Sequence, residues 1–383
     1  MNRRPIRVTF VVPDLHTGGA ERHVTTLLPR MDPARFTPSV VCIGEEGALF
    51  DALPAAGIEA RALHLAKRNA PRALSELTGI FRRTQPDVVV VRGYSAEALG
   101  RIAARFAGVT HSIVWVHNVS DITPRSRIRN ELDRALDRWT SAYFGVAEGQ
   151  RPYMIDELGY PEAKIRIVHN GVDPSIFDID SDRTAVREFG WSEEDPVVGI
   201  VAGLRPEKGH TTLLQAAALV IDHVPRAKFL IIGDGAIRRD LETMVAELGI
   251  ESSVHFAGAR SDVTRLLRGI DVFTLSSDSE CFSIALLEAM AAARPAVCTS
   301  VGGTPEIIAE GRTGYLVPPR DSQRLADRLV DLLSNPQAAR RMGQAGRARI
   351  ETEFDLRRSV EAAERAIEDV VSRPLVTTGR TQL

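Results

Sequence analysis

The sequence contains little cysteine: only Cys42, Cys281 and Cys298 occur in 383 residues. They are far apart and show neither the spacing of a metal site nor that of a disulfide framework. An odd number of scattered thiols is typical of a protein of the reducing cytoplasm, and Cys42 and Cys298 stand in apolar segments that suit buried thiols. We therefore expect no disulfide-built fold and no metal centre.

Long apolar runs are also missing. The first apolar segment, Val8 to Val12, is short and ends at Pro13 and Asp14. This pattern predicts a first β-strand rather than a signal peptide. No segment approaches the ~20 apolar residues that a helix needs to cross a bilayer. We therefore expect a cytoplasmic protein, and any contact with the inner face of the cell membrane would be peripheral.

A strong charge of one sign is absent, because the net charge is −2, and nothing in the overall composition points to nucleic acid. The distribution is uneven: residues 1–175 carry 23 Lys/Arg and 19 Asp/Glu, a net of +4, and the rest carry 25 and 31, a net of −6. The first half, with its arginine-rich segment 124–139, could face an anionic membrane surface. An ordinary solvated surface is the simpler explanation.

What the sequence does contain is a regular alternation of apolar strand-like runs and amphipathic helix-like runs, the pattern of parallel α/β proteins. Continuous Val/Ile runs predict strands that are buried on both faces. Strands are predicted at 7–12, 39–43, 87–91, 111–116 and 141–146, and again at 197–203, 229–235, 253–258, 271–275 and 296–300. This pattern predicts two doubly wound, Rossmann-like domains that face each other across a cleft.

The break between the two halves falls near a polar stretch at residues 178–184. We place the first domain at 1–177 and the second at 178–353. A helix-like segment, 354–371, follows the completed second sheet, and residues 373–383 are predicted to form a disordered tail. Ligands of open α/β sheets bind beyond the carboxyl ends of the strands, so the residues that follow each strand are the candidates for function.

Two glutamates, Glu280 and Glu288, are separated by seven residues. Glu280 lies in a polar turn after a strand, and Glu288 lies in the next helix, so both reach one edge of the second sheet. Two such acids suit a ligand with two separate hydroxyl-bearing parts, for example a nucleotide sugar. The free amides near Phe282, Ser283 and Ile284 at the helix start suit phosphate oxygens. Taken alone, this spacing is weak evidence, and two exposed surface residues are the simpler explanation.

Other candidate residues follow other strands. Arg205 and Lys208 come after the strand that opens the second sheet, and two cations there could neutralise a diphosphate and stabilise its departure. Gly18 and Gly19 precede the first helix and leave backbone amides open to a phosphate or a sugar. His117 ends the strand 111–116 and could bond a substrate. The alternatives are that Arg205 and Lys208 form a solvated basic turn, that the two glycines serve only their turn, and that His117 is an ordinary loop histidine.

A glycine pair, Gly233 and Gly235, also follows a strand, but the third glycine of a dinucleotide fingerprint is replaced by Arg238. A nicotinamide-dependent dehydrogenase is therefore poorly supported. Arg260, after the next strand, lies in a loop that could contact a nucleotide base.

Taken together, these motifs resemble the family 4 retaining glycosyltransferases of GT-B fold over about residues 6–371. The motifs that carry the resemblance are GGAE (18–21), HNGVD (169–173), GLRPEKG (203–209), GDG (233–235), SECFSIALLEAMA (279–291), VGGTPEII (301–308) and GRTGYLVPP (311–319).

The resemblance implies a role for each candidate. Arg205 and Lys208 would hold the donor diphosphate, Glu288 the ribose and Glu280 the transferred sugar, which His117 would approach from the first domain. The implied catalytic set is Glu280, Lys208, Arg205 and His117. The implied donor site is Gly18, Gly19, Arg205, Lys208, Gly233, Arg260, Phe282, Ser283, Ile284 and Glu288. His16 and Glu21 are the candidate acceptor contacts.

The implied activity is transfer of a hexose-type sugar, with retention and without metal or cofactor, from a UDP- or GDP-sugar to a hydroxyl of a glycan, glycolipid or small molecule. The first domain would bind the acceptor, the second the donor, and the segment 354–371 would cross back to the first domain. A nucleotide-sugar epimerase and a non-catalytic nucleotide-sugar binding protein are the alternatives. Cys281, where the family usually has glycine, and Ser283 leave the transferred sugar open.

Overall fold

The computed structural model describes two parallel α/β units, each built on one sheet. The described residues are 4–16, 18–66, 69–117, 127–180 and 182–373. The predicted tail from 374 onward and residues 124–126 of the arginine-rich segment lie outside them. No helix among the described residues is long and apolar enough to cross a bilayer.

The first sheet has seven parallel strands in the order β3-β2-β1-β4-β5-β6-β7. The strands are β1 (Ile6–Val12), β2 (Phe36–Cys42), β3 (Glu59–Ala62), β4 (Val88–Val91), β5 (His111–Trp115), β6 (Ala142–Gly145) and β7 (Ile165–Ile167). Its helices are α1 (Gly19–Leu27), α2 (Ala52–Ala55), α3 (Ala70–Thr84), α4 (Tyr94–Ala107) and α5 (Arg127–Asp137). The central strand β4 is four valines, all buried, as expected for a strand that is covered by helices on both faces.

The second sheet has six parallel strands in the order β10-β9-β8-β11-β12-β13. The strands are β8 (Val197–Val201), β9 (Lys228–Ile232), β10 (Val254–Gly258), β11 (Val272–Leu275), β12 (Ala296–Thr299) and β13 (Gly314–Val317). Its helices are α6 (His210–His223), α7 (Arg238–Glu247), α8 (Val263–Arg268), α9 (Ile284–Ala291), α10 (Thr304–Ile307), α11 (Ser322–Ser334) and α12 (Pro336–Glu353). This architecture confirms the predicted pair of doubly wound domains.

Strand order reverses beside the first strand of each sheet, so that β4 follows β1 on the far side from β2, and β11 follows β8 on the far side from β9. A crevice forms at such a reversal, outside the carboxyl ends of the strands. The loops after β1, β8 and β11 therefore begin at the places where ligands bind in this architecture.

Three strands that the sequence pattern did not predict are β3, β7 and β13, and all three lie at sheet edges. An edge strand has a neighbour on one side only and needs no continuous apolar run. In β3 exposed and half-buried residues alternate, and β7 has only three residues. Their sequences therefore carry a much weaker strand signal than that of β4.

The last helix, α13 (Leu356–Ser372), crosses back to the first unit, as expected. Arg35, just before β2, forms ion pairs with Glu364 at 2.8 Å and Glu368 at 2.6 Å on this helix. At its start, the backbone amide of Leu356 donates to the carbonyl of Val172 at 2.9 Å. The limits of the two domains along the chain stay a prediction.

Candidate functional site

A cleft of about 600 Å³ lies between the carboxyl ends of the two sheets. With one exception, all predicted site residues line it. These residues are Gly18, Gly19, Glu21 and His117 from the first unit and Arg205, Lys208, Gly233, Arg260, Glu280, Phe282, Ser283, Ile284 and Glu288 from the second. The exception is His16, which is exposed outside the lining and whose backbone amide donates to Asp14, so its acceptor role stays a prediction.

Lys208 and Glu280 form the central pair of the cleft, with Nζ of Lys208 2.7 Å from Oε2 of Glu280. Both side chains are largely buried, with 17% and 11% exposed, and the hydroxyl of Ser277 donates to the same carboxylate oxygen at 3.1 Å. Gly209 follows the turn that carries Lys208, and a Cβ there would lie 2.0 Å from the carbonyl oxygen of Ser276. The turn after β8 and the loop after β11 are therefore in direct contact.

The loop that carries Glu280 rests on the glycine turn after β12. Gly302 has a φ of +52°, and a Cβ on it would lie 1.6 Å from the carbonyl oxygen of Glu280. The amide of Gly303 donates to the carbonyl of Cys281 at 2.8 Å. The absent side chains of this glycine pair let the Glu280 loop approach.

Glu288 pairs across the cleft with Arg22, a residue of α1 that the sequence analysis did not single out. The distance from the guanidinium to Oε1 is 3.0 Å, and the Glu288 side chain is 12% exposed. Burial raises the pKa of Glu288, and the charge of Arg22 opposes that rise. The signal in the sequence is the position of Arg22, directly after the GGAE motif.

Phe282 and Ser283, between the two glutamates, anchor the start of α9. Phe282 is buried and its ring stacks on His169 at 5.0 Å and contacts Phe354 at 5.5 Å. The hydroxyl of Ser283 accepts the amide of Leu286 at 3.2 Å and caps the helix. This serine thus stabilises the helix start.

His117 belongs to an aromatic cluster under the first-unit wall of the cleft, 5.1 Å from the ring of His23 and 6.0 Å from that of Trp115. Removal from water, together with the charge of Arg92, lowers the pKa of His117 well below its ordinary value and that of His23 to about 3. Nε2 of His117 has no hydrogen-bond partner among the described residues. A neutral imidazole with an unused nitrogen can bond a ligand hydroxyl.

Arg92, which follows the four valines of β4, supports the start of α1. Its buried guanidinium donates to the carbonyl oxygen of Ala20 and lies 3.6 Å from Glu21. Burial lowers the pKa of Arg92 to about 10, against the raising effect of Glu21 and Asp14, so the group stays charged at neutral pH. A charged residue at the end of an all-valine strand was the signal that could have revealed it.

The remaining predicted contacts differ in how free their side chains are. The side chain of Arg205 is 59% exposed, and Glu207, at 3.5 Å, is the one carboxylate paired with it among the described residues. Arg260 is already engaged, since its guanidinium donates twice to Asp262, at 2.8 and 2.9 Å, and once to Glu188 at 3.1 Å. The side chain of Arg205 is therefore available to an anion, whereas Arg260 is held by carboxylates of the second unit.

Comparisons with known proteins agree with this architecture. The family model described as "Glycosyltransferase Family 4" matches residues 17–176, and the one described as "Glycosyl transferases group 1" matches residues 181–349. The structure of Anabaena Alr3699/HepE in complex with UDP-glucose superposes with a TM-score of 0.83 at 21% identity, covering 96% of this chain and all of that one.

Two curated relatives illustrate the sequence similarity. The N-acetyl-alpha-D-glucosaminyl L-malate synthase of Bacillus anthracis is 34% identical over 56% of this chain and 56% of its own length. The D-inositol 3-phosphate glycosyltransferase of Streptomyces scabiei is 30% identical over 75% of this chain and 71% of its own length. Several relatives are matched over little more than half their length. The two family models together cover most of the chain, one on each sheet, and the chain belongs to glycosyltransferase family 4.

Proposed function

We propose that the protein transfers a hexose-type sugar from a UDP- or GDP-sugar to a hydroxyl group of an acceptor, with retention of configuration and without a metal or other cofactor. The observation that carries the proposal is the Lys208–Glu280 pair, which shares one cleft with Glu288, Arg205 and the glycine turn before α1. This set offers cations for a diphosphate and carboxylates for two groups of hydroxyls.

In the proposed reaction, the bond between C1 of the sugar and the β-phosphate oxygen breaks, and its electron pair stays with the leaving diphosphate. Arg205 and Lys208 neutralise the charge that develops there. The acceptor oxygen then bonds to C1 from the same face, and its proton passes to a leaving-phosphate oxygen. Closure of the cleft would keep out water, which otherwise competes with the acceptor.

Glu280 is not assigned as a nucleophile. Its carboxylate is engaged by Lys208 at 2.7 Å and Ser277 at 3.1 Å, which suits a group that orients sugar hydroxyls. Front-face substitution therefore fits the site better than the two-carboxylate scheme of retaining hydrolases.

The relatives support the nature of the substrates. One structural neighbour is in complex with UDP-glucose, which favours a uridine donor for this chain. The relatives are named for acceptors that include L-malate, inositol 3-phosphate and a diphosphoundecaprenol-linked sugar. We therefore propose that the first unit binds the acceptor beside Glu21, that this acceptor is a glycan, a glycolipid or a small molecule, and that any contact of the enzyme with a membrane is peripheral.

The proposal is tested by a thermal-shift panel of nucleotide sugars, followed by mass analysis of the products that form with the best donor. Lys208→Ala and Glu280→Gln should each reduce transfer by roughly a hundredfold or more, because each removes a group that acts on developing charge or on the sugar. Lys228→Ala is the matched control, since Lys228 is a half-buried lysine of the same unit that lies outside the cleft lining and whose Nζ donates to the carbonyl of Ser252 at 3.0 Å.

Near-normal turnover of both site variants would overturn the site assignment. Formation of an epimer from the donor alone would overturn the proposed reaction. Donor binding with neither transfer nor slow hydrolysis of the donor would also overturn it.

A further inference from the structure

A second cavity, of about 790 Å³, lies in the first unit and takes no part in the proposed reaction. It is lined by His111 at the start of β5, by Ala142 at the start of β6 and by residues of β7. The last turns of α13, including Val370, form its opposite wall. It therefore lies at the amino-terminal edge of the sheet, whereas the donor cleft lies at the carboxyl edge.

The charge of the lining is strongly one-sided. Its basic residues are Arg101, Arg105, Arg138, Lys164, Arg166, Arg365 and Arg373, and Asp369 is the single acidic residue among the described residues of the lining. Because the chain as a whole has a net charge of −2, composition does not account for this concentration of cations.

Among the described residues, two of these cations form short ion pairs with carboxylates. Arg101 is fully buried and lies 2.5 Å from a carboxylate oxygen of Asp133, and Lys164 lies 2.9 Å from Asp137. These two pairs hold the wall of the cavity together and leave little charge for a ligand.

The other cations are open to a ligand. Arg105, Arg138 and Arg373 have no carboxylate within 4 Å in the part of the chain that the structure describes. Arg166 donates to two backbone carbonyls, at 2.8 and 3.0 Å, and Arg365 has only a glutamate at 3.6 Å on its own helix. Several guanidinium groups around one cavity repel each other, and an anion between them would relieve that repulsion.

The cavity also offers an aromatic and an apolar surface. The guanidinium of Arg138 lies 4.6 Å from the ring centre of Trp139, and the carbonyl of Trp139 accepts the hydroxyl of Ser112 at 2.5 Å. Val168 and Val370 add apolar surface. A ligand that combines a charged group with a flat or apolar part matches this lining.

We propose that this cavity binds a phosphate-bearing ligand at a site separate from the donor cleft. Arginine forks match phosphate oxygens in shape and charge, and here they come from both walls: Arg105 belongs to α4 and Arg365 to α13. The ligand would thereby fasten the returning helix to the first sheet. A soluble phosphorylated compound and the headgroup of an anionic lipid present the same chemistry.

Inorganic pyrophosphate tests the site, titrated in the presence of saturating UDP so that the donor cleft is already filled. Binding is followed by tryptophan fluorescence, and Trp139→Phe shows which part of the signal arises in this cavity. The double variant Arg105→Glu, Arg365→Glu should weaken binding by roughly tenfold or more, and added salt should weaken binding to the wild type.

The matched control is Arg72→Glu, Arg83→Glu on α3 of the same unit. It makes the same charge change and, like the test pair, combines one arginine that has a glutamate four residues away with one that has no carboxylate within 4 Å among the described residues. The affinity of this control variant for pyrophosphate should equal that of the wild type. Should the charge-reversed protein unfold, the milder Arg105→Gln, Arg365→Gln variant serves in its place.

Sedimentation with vesicles separates the two sources of phosphate. Binding to phosphatidylglycerol–phosphatidylcholine vesicles but not to phosphatidylcholine alone supports a headgroup, whereas pyrophosphate binding without vesicle binding supports a soluble ligand. The proposal is overturned if the wild type binds neither pyrophosphate nor vesicles. It is also overturned if the control variant weakens pyrophosphate binding as much as the test variant does. If the wild type does not bind UDP, that result contradicts the proposed function and not the second site, because the Trp139 signal still reports on this cavity.

Discussion

Gly302 is the residue on which the position of Glu280 depends most directly. Its φ is +52°, and an added Cβ would lie 1.6 Å from the carbonyl oxygen of Glu280. Gly302→Ala should therefore lower the free energy of unfolding by about 2–4 kcal/mol, from backbone strain of ~1 kcal/mol and from displacement of the loop. Transfer should fall with it, because the carboxylate moves; denaturant unfolding and product formation measure the two effects.

Gly311 provides the control, because its φ of +69° is similarly unfavourable for alanine but no atom lies within 4 Å of an added Cβ. Gly311→Ala should cost only about 1 kcal/mol of strain and leave transfer unchanged. Equal destabilisation by the two substitutions would show that the close approach at Gly302 does not support the loop.

Single residues also show how much of the site could be predicted from the sequence. Lys208, Glu280 and Glu288 could be assigned to one cleft because each follows a strand at the carboxyl edge of one sheet, where the geometry is general. The partner of Glu288, Arg22, could not be assigned, because it is 266 residues away in the sequence and lies on the other unit. Arg92 was missed because its role depends on what is packed around the end of β4, which periodicity does not describe.

At the scale of elements, the short helix α10 connects the two units through Glu306. Its carboxylate accepts the backbone amides of Glu148 at 2.9 Å and Gly149 at 2.7 Å, on the first unit, and lies 2.9 Å from Nε2 of His169. Burial acts to raise the pKa of Glu306, but these hydrogen bonds outweigh it, so the pKa is lowered.

Glu306→Gln should destabilise the protein by about 1 kcal/mol near neutral pH, since charge-assisted hydrogen bonds are replaced by neutral ones. A carboxylate with a lowered folded-state pKa stabilises the fold above its unfolded pKa and loses that contribution as the pH falls through the folded value. The difference between wild type and variant should therefore shrink on acidification, measured by urea unfolding from about pH 7 to about pH 3.

Glu247→Gln, at an exposed site at the end of α7, is the control and should change stability little at either end of that range. A gap between wild type and Glu306→Gln that does not depend on pH would contradict the assigned role of the carboxylate charge.

Elements were predictable in proportion to their burial. The interior strands β1, β4, β8 and β9 consist mainly of buried apolar residues and were expected within a few residues of their observed bounds. The edge strand β13 begins with a glycine and is only half-buried in its middle, so hydrogen bonding to β12, rather than its own composition, makes it a strand.

At the scale of the whole molecule, the sequence predicted a cleft but not how the two units meet across it. Doubly wound halves imply a crevice between carboxyl edges, whereas the approach of the units depends on contacts that no local pattern encodes. Arg22 with Glu288 and Glu306 with Gly149 are such contacts. The first of these occupies the carboxylate that we propose as the ribose ligand.

In the complex that we propose, nucleotide binding exchanges the Arg22–Glu288 pair for bonds to the ribose. In Arg22→Gln nothing has to be broken, so UDP should bind about fivefold more tightly, as expected for loss of a partly exposed ion pair of ~1 kcal/mol. Without nucleotide, the units should also lie further apart on average, and small-angle scattering should give a larger radius of gyration for the variant than for the wild type.

Arg30→Gln, just after α1, removes an exposed arginine that lies outside the cleft lining and donates to the carbonyl of Thr26, and it should change neither UDP affinity nor the scattering curve. Weaker binding of UDP by Arg22→Gln would instead assign Arg22 to direct contact with the donor. The sign of the affinity change thus separates the two roles: competition with the ribose predicts a gain, and a contact with the diphosphate predicts a loss, because the variant removes a cation that faces the cleft.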